Sequence, residues 1–197
     1  MPRPASHAAL DVTEFVRREL PSPPSRVLEV GCGEGDLARA LSAASYDVLA
    51  IDPDAPDGAI FRRTTIEELD DSGPFAAVVA SRSLHHVHDL PTALDKIVRV
   101  LAPEGRVVVD EFAWERLAPA SASAVGLDIT EWREEHEGLH TSEAMLRELD
   151  ERFTRRELVW EPYLYREAHM VVTEETERGL IAAGSLAPIG FRYVGIR

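Results

Sequence analysis

Apolar and polar positions along this chain repeat with two different periods. Residues 7–20 set Ala8, Leu10, Val12, Phe15, Val16 and Leu20 at spacings of one helical face, and Pro21, Pro23 and Pro24 end the run, which predicts a leading helix. A short apolar strand, "RVLEV" at 26–30, runs directly into the glycine stretch "GCGEG" and then into the helical pattern "DLARALSAA". Further strands are predicted at 47–52 ("DVLAID"), 59–64 ("AIFRRT", a weaker signal), 75–81 ("FAAVVAS") and 105–112 ("GRVVVDEF"). A short helical turn falls at 66–70 and a helix at 90–102.

Parallel strands need crossover connections, so this alternation predicts an α/β fold, a doubly wound sheet with helices on both faces. After residue 112 the rhythm changes. The biased stretch "APASASA" at 118–124 reads as a flexible joint, and "TSEAMLRELDERF" at 141–153 as a helix. The strand candidates "ELVWEPYLYREA" (157–168) and "GFRYVGIR" (190–197) then complete the far edge as an antiparallel pair, giving a mostly parallel, seven-stranded, Rossmann-like sheet. At 197 residues with 45% hydrophobic content, one domain is expected: an N-terminal helix (1–24), a core (25–112), a covering insertion (113–140) and C-terminal helices and strands (141–197).

Charge narrows the partners. Thirty-five acids against twenty-one bases give a formal charge of −14, which repels a phosphate backbone, so nucleic acid is not expected as a partner. The N-terminus shows no apolar run of signal-peptide length and no eighteen apolar residues are consecutive, so a soluble, cytoplasmic protein with no membrane partner is expected. The single cysteine, Cys32, has no partner for a disulfide or for a cysteine-based zinc site.

The chemistry concentrates in "EVGCGEG". Gly31, Gly33 and Gly35 follow a buried strand, where missing β-carbons let a ligand approach the backbone closely. Seventeen residues after Gly35, Asp52 ends the second strand. Neighbouring strand ends lie side by side in this topology, so its carboxylate is placed to accept both hydroxyls of a ribose, and an adenosine-bearing ligand is implied. The spacing is G-x-G-x-G, not the dinucleotide G-x-G-x-x-G that receives a pyrophosphate. Glu29, two residues before the first glycine, suits a ligand carrying an ammonium group. The alternative is a tight strand-to-helix turn with incidental glycines.

These residues resemble the class I S-adenosylmethionine-dependent methyltransferases over roughly residues 25–112. "VLEVGCGEGDLA" is similar to that family's first motif, "VLAIDPD" to its second, "RTTIEELD" to the segment bordering the adenine, and residues 75–112 to its fourth strand through fifth strand. The resemblance implies S-adenosylmethionine as cofactor, S-adenosylhomocysteine as product and a small-molecule acceptor. It implies cofactor contacts by Gly31 and Gly33 (methionine part), Asp52 (ribose), Thr65 and Ile66 (adenine), and Ser81 and Arg82 beside the methionine moiety. Glu29, Cys32, Gly35 and Pro53 fall within the same motifs. Two departures mark a divergent member: Phe75-Ala76 where Phe-Asp often opens the fourth strand, and Pro103-Glu104-Gly105 where Pro-Gly-Gly is usual. The ending "ASRS" also lacks the Asn/Asp-Pro-Pro-Tyr signature of base N-methylases.

A sulfonium donor is already activated, so the protein's main task is alignment and exclusion of water; a base is needed for a hydroxyl or a protonated amine. Histidine suits that role near neutrality. His85 or His86, after the fourth strand, serves either the substrate or the packing of the cofactor pocket. His86, His136 and His140 are the catalytic candidates, the last two sharing a face if their stretch is helical, with an exposed amphipathic surface as the competing reading. Trp114 and Trp132 in the insertion suit a pocket for a planar or apolar acceptor. Trp160, Tyr163 and Tyr165 line the same cavity or simply pack a strand. Consecutive histidines diverge on a helix and Ser81 stands where metal-dependent relatives are expected to offer an acid, so no metal requirement is expected. Two other functions stay open: a non-catalytic adenosyl-ligand-binding module and a nicotinamide-dependent oxidoreductase, the latter disfavoured by the glycine spacing and the lack of Tyr-x-x-x-Lys. The sequence fixes neither the acceptor atom nor the oligomeric state.

Overall fold

The computed structural model describes residues 11–70, 73–167 and 172–197. Helix α1 (Val12–Glu19) leads into β1 (Arg26–Val30), α2 (Asp36–Ala43), β2 (Asp47–Asp52), β3 (Phe61–Arg63) and β4 (Phe75–Ser81). Then come α3 (Leu90–Val100), β5 (Leu101–Phe112), α4 (Pro119–Ala124), α5 (Ile129–Glu135), α6 (Ser142–Arg152), β6 (Thr154–Glu161), α7 (Glu174–Ala182) and β7 (Gly190–Ile196). The strands form one seven-stranded sheet in the order β3-β2-β1-β4-β5-β7-β6. The first five strands are parallel, and β7 lies antiparallel between β5 and β6.

Alternation along the strands builds a core on each face. Leu28, Val30, Val78, Ala80, Val107 and Val109 pack with Leu94, Ile97, Met145 and Leu149 of α3 and α6. Val27, Ala77, Val79, Val108 and Val194 pack with Phe15, Val16, Ala38 and Leu41 of α1 and α2. The central strands are therefore apolar on both sides, as a doubly covered parallel sheet requires. A third cluster, with Phe112, Leu117, Trp132, Tyr163 and Ile189, ties the segment after β5 to the sheet's carboxyl end.

The elements differ from the sequence expectation in places with physical causes. The leading helix is seen from Val12, and its predicted start at 7–10 lies outside the described residues. The third strand is three residues long, and β5 begins at Leu101, before an irregular register with β4. The expected joint at 118–124 is instead helix α4: Pro119 occupies a first-turn position where its missing N–H costs nothing, the alanines favour helix, and Ser121 and Ala122 are buried. The strand expected at 157–168 starts earlier, at Thr154, and stops at Glu161. Pro162 cannot donate to the ladder, and the chain turns through a short 3-10 helix at Leu164–Arg166.

Candidate functional site

The carboxyl ends of β1, β2 and β4 open onto a cleft of about 1450 Å³. Its first wall is the glycine loop. The N–H groups of Gly31 and Cys32 both donate to the Ile51 carbonyl, at 2.8 and 3.1 Å, which stitches the loop to β2. All three glycines have positive φ: +72° at Gly31, +49° at Gly33 and +82° at Gly35. Their reasons differ. A β-carbon at Gly31 would sit 2.2 Å from that of Ser83, and one at Gly35 would meet the Phe61 ring at 2.4 Å. At Gly33 it would meet nothing within 4 Å, because that position faces the open cleft.

Asp52, at the tip of β2, accepts the Gly33 N–H on one oxygen (3.0 Å) and the Asp54 N–H on the other (2.9 Å). Glu29 is 3% exposed on the α2 side of β1, and its Oε2 has no hydrogen-bond partner. Burial pushes this carboxyl up to about 8, and the nearby Asp52 carboxylate adds to the shift, while a hydrogen bond from the Ala38 backbone opposes it. The Cys32 thiol is pushed up to about 12 by burial, with Glu29 and Asp52 adding to it, so it stays a thiol and not a nucleophilic thiolate. Thr65, buried Ile66 and exposed Pro53 continue the wall, and Ser81 and Arg82 close it beyond β4. Arg82 holds a left-handed φ of +50° while its N–H donates to the Asp110 carbonyl at 2.8 Å. Glu29, Gly31, Cys32, Gly33, Gly35, Asp52, Pro53, Thr65, Ile66, Ser81 and Arg82 thus line one cleft.

The candidate histidines divide. His86 and His136 line the cleft; His140 does not, and its Nε2 lies 2.7 Å from the Val87 carbonyl while its N–H donates to the His85 carbonyl. This ties the insertion to the turn after β4 and gives His140 a structural bond in place of the expected catalytic position. Nor does a common helical face unite the pair, since α5 ends at Glu135. His136 is buried, its Nδ1 2.6 Å from the Trp132 carbonyl and its ring against Trp132 and Phe112. His86 has an exposed side, and desolvation of the rest of its ring, with neighbouring His85 next in weight, lowers its pKa.

Two lining residues stand out that the sequence reading had not ranked as catalytic. His85 is 4% exposed, with Nδ1 2.7 Å from Glu111 Oε2. Tyr163 stacks on Phe112 with centroids 4.3 Å apart and an interplanar angle of 1°, and burial, reinforced by Glu167, raises its phenol. Glu111 was visible only as one of two acids near the end of the apolar run "RVVVDEF". Trp114 and Trp132 are absent from the described lining, while Trp160 packs on Phe191 beneath Arg116. Among the described residues no group of three or more His, Cys, Asp or Glu side chains is arranged to hold a metal ion.

Tyr163 owes its position to Glu177. That carboxylate is fully buried and accepts the N–H groups of Tyr163 (2.8 Å), Leu164 (3.1 Å) and Tyr165 (3.0 Å). Glu177→Ala would strand these donors, and a loss of about 3 kcal/mol in unfolding free energy is expected from urea denaturation. An unchanged midpoint would mean that the turn holds itself.

A family model described as "Methyltransferase domain" matches residues 5–160. A ubiquinone biosynthesis O-methyltransferase of Rhodopseudomonas palustris (strain BisB5) is 31% identical over 97 residues, 43% of this chain and 38% of that protein. An uncharacterized methyltransferase of Mycobacterium tuberculosis (strain ATCC 25618 / H37Rv) is 35% identical over 102 residues, 44% of this chain and 50% of that protein. The chain thus spans half or less of these curated relatives. An S-adenosylmethionine-dependent methyltransferase from Mesorhizobium loti superposes with a TM-score of 0.65 at 20% identity, covering 92% of this chain and 95% of that one. A geranyl diphosphate C-methyltransferase from Streptomyces coelicolor A3(2), solved with Mg2+, geranyl diphosphate and S-adenosyl-L-homocysteine, gives 0.61 at 18% identity, covering 93% and 76%. At such identities the likeness is one of fold. The family match, spanning the glycine loop, Asp52 and the whole run through β5, is to the chain itself: it belongs to the methyltransferase-domain family.

Proposed function

We propose that this protein is an S-adenosylmethionine-dependent methyltransferase that passes the methyl group to a nucleophilic atom of a small molecule, releasing S-adenosylhomocysteine. The observation that carries the reading is the pairing of Asp52 and Glu29 across the glycine loop: one carboxylate at a strand tip, and one buried carboxyl with an oxygen that nothing in the described protein satisfies. An unsatisfied buried polar atom calls for a partner, and the ammonium of a bound amino acid moiety supplies one.

When bound, S-adenosylmethionine brings an electrophilic methyl group on a sulfonium; the protein's residues do the rest. Glu29 takes the ammonium. Gly31 and Gly33 let the methionine part lie against the backbone. Asp52 accepts the ribose hydroxyls in exchange for the backbone donors it now holds, and Thr65 and Ile66 flank the adenine with Pro53 nearby. Ser81 and Arg82 border the reacting end. Residues 113–140 cover the acceptor and exclude water, so that the nucleophile is held in line behind the methyl carbon.

The net charge of −14 supports a small-molecule acceptor over nucleic acid. No helix among the described residues is long and apolar enough to cross a membrane, and a cytoplasmic setting is part of the proposal. Asp52→Ala tests the site. Losing charge-assisted ribose hydrogen bonds is expected to weaken S-adenosylmethionine binding by roughly 1.5–3 kcal/mol, about ten- to a hundredfold in calorimetric Kd. Unchanged affinity would remove Asp52 from the cofactor site.

A further inference from the structure

Building on that reading, we propose that His85, held by Glu111, is the base that removes the proton from a phenolic acceptor, so that the enzyme is an O-methyltransferase of uncharged hydroxylated aromatic rings. The Glu111 side chain is fully buried at the end of β5. Its Oε1 accepts the N–H groups of Ser83 and Leu84, each at 2.7 Å, and its Oε2 takes Nδ1 of His85 at 2.7 Å with the Phe112 N–H at 3.4 Å. A carboxylate surrounded by donors is fixed as an acceptor. The proton is therefore assigned to Nδ1, and Nε2 keeps its lone pair. His85 lines the cleft, so that lone pair belongs to its wall.

The surroundings select the acceptor. Phe112 meets the His85 ring edge-on, with centroids 4.9 Å apart, and stacks on Tyr163, forming aromatic surface beside the base. Arg82 is the sole Arg or Lys in the described lining, against ten acids, so an acceptor carrying a fixed phosphate or carboxylate meets net negative charge there. A phenol with a pKa of about 10 yields its proton to imidazole in a transition state far more readily than an alkanol does. His136 is the rival base, but its Nδ1 leans on a neutral carbonyl, whereas Glu111 supplies the negative charge that stabilises an imidazolium. In the step, the acceptor oxygen bonds to the methyl carbon as the carbon–sulfur bond breaks, and that bond's electron pair stays on the departing thioether. The phenolic proton goes to His85 Nε2, and from there to water after product release.

The test measures S-adenosylhomocysteine release with 4-methylphenol, 4-nitrophenol and aniline as acceptors. Wild type is expected to turn over both phenols. His85→Gln is expected to lower kcat for 4-methylphenol about a hundredfold or more, with S-adenosylmethionine affinity intact. For 4-nitrophenol at about pH 9, already ionised, the same variant stays within about threefold of wild type. Glu111→Gln turns an amide N–H toward Nδ1 and reverses the tautomer, so it reproduces the loss with 4-methylphenol and spares ionised 4-nitrophenol. His136→Gln, which removes a wall residue and not the base, is expected to affect 4-methylphenol and 4-nitrophenol alike. Turnover of aniline alone, no turnover of either phenol while S-adenosylmethionine binds, or equal losses of His85→Gln with both phenols would overturn the proposal. Failure of S-adenosylmethionine to bind wild type would instead sink the reading beneath it.

Discussion

Gly31→Ala is expected to lower the unfolding free energy by roughly 3 kcal/mol and S-adenosylmethionine affinity by more than about tenfold. The new β-carbon would lie 2.2 Å from the Ser83 β-carbon, and neither neighbour is free to retreat. Ser83 donates its N–H to Glu111 and its hydroxyl to the Val30 carbonyl at 2.8 Å, while the loop is bonded to Ile51. The left-handed φ of +72° adds about 1 kcal/mol for an L residue. Gly33→Ala is the control. Its added methyl meets open space, so stability is expected to fall only by the backbone cost of about 1 kcal/mol, while cofactor affinity drops because the methyl stands in the cleft. Thermal unfolding and calorimetry on the two variants separate packing from binding; equal stability losses would contradict the distinction.

Glu29→Gln is expected to abolish the pH dependence of cofactor binding. In the free protein the Glu29 carboxyl titrates at about 8, against an ordinary 4.5, so near neutrality it is mostly protonated. Taking up an ammonium pulls that proton off. Binding of S-adenosylmethionine near pH 7 therefore releases a proton, visible as a binding enthalpy that varies with buffer ionisation enthalpy, and affinity strengthens up to about tenfold per unit as pH rises from 6 to 7. Glu29→Gln should abolish both effects and weaken binding. The folded state holds this proton more tightly than the unfolded state, so stability falls as pH rises from 4.5 through 8. Gln at this position is expected to raise the unfolding free energy at pH 8, within a ceiling of about 5 kcal/mol set by the shift. A variant with unaltered buffer dependence would dissociate Glu29 from the ammonium.

The glycine-loop wall of the cleft was legible in the sequence because its determinants are local. A strand, three glycines and the acid of the next strand are fixed by topology once parallel order is assumed, and Glu29 through Arg82 do line one cleft. The wall beyond β4 was not, because it is assembled from distant elements. His85 becomes distinct from His86 only through Glu111, twenty-six residues away, and Tyr163 enters the cleft because Glu177 on α7 gathers the turn that Pro162 starts. Helical spacing suggested that His136 and His140 act together, yet α5 ends before either residue and their ring nitrogens bond to different carbonyls. Composition misread 118–124, where small residues that look like a linker pack as a helix turn against the sheet's end.

The most direct test of the central claim is calorimetric titration of the protein with S-adenosylmethionine, S-adenosylhomocysteine and NADH in parallel. Binding of the two adenosyl ligands at about micromolar Kd, with no heat from NADH, is the predicted result. Binding of NADH alone, or of none of the three, would contradict it.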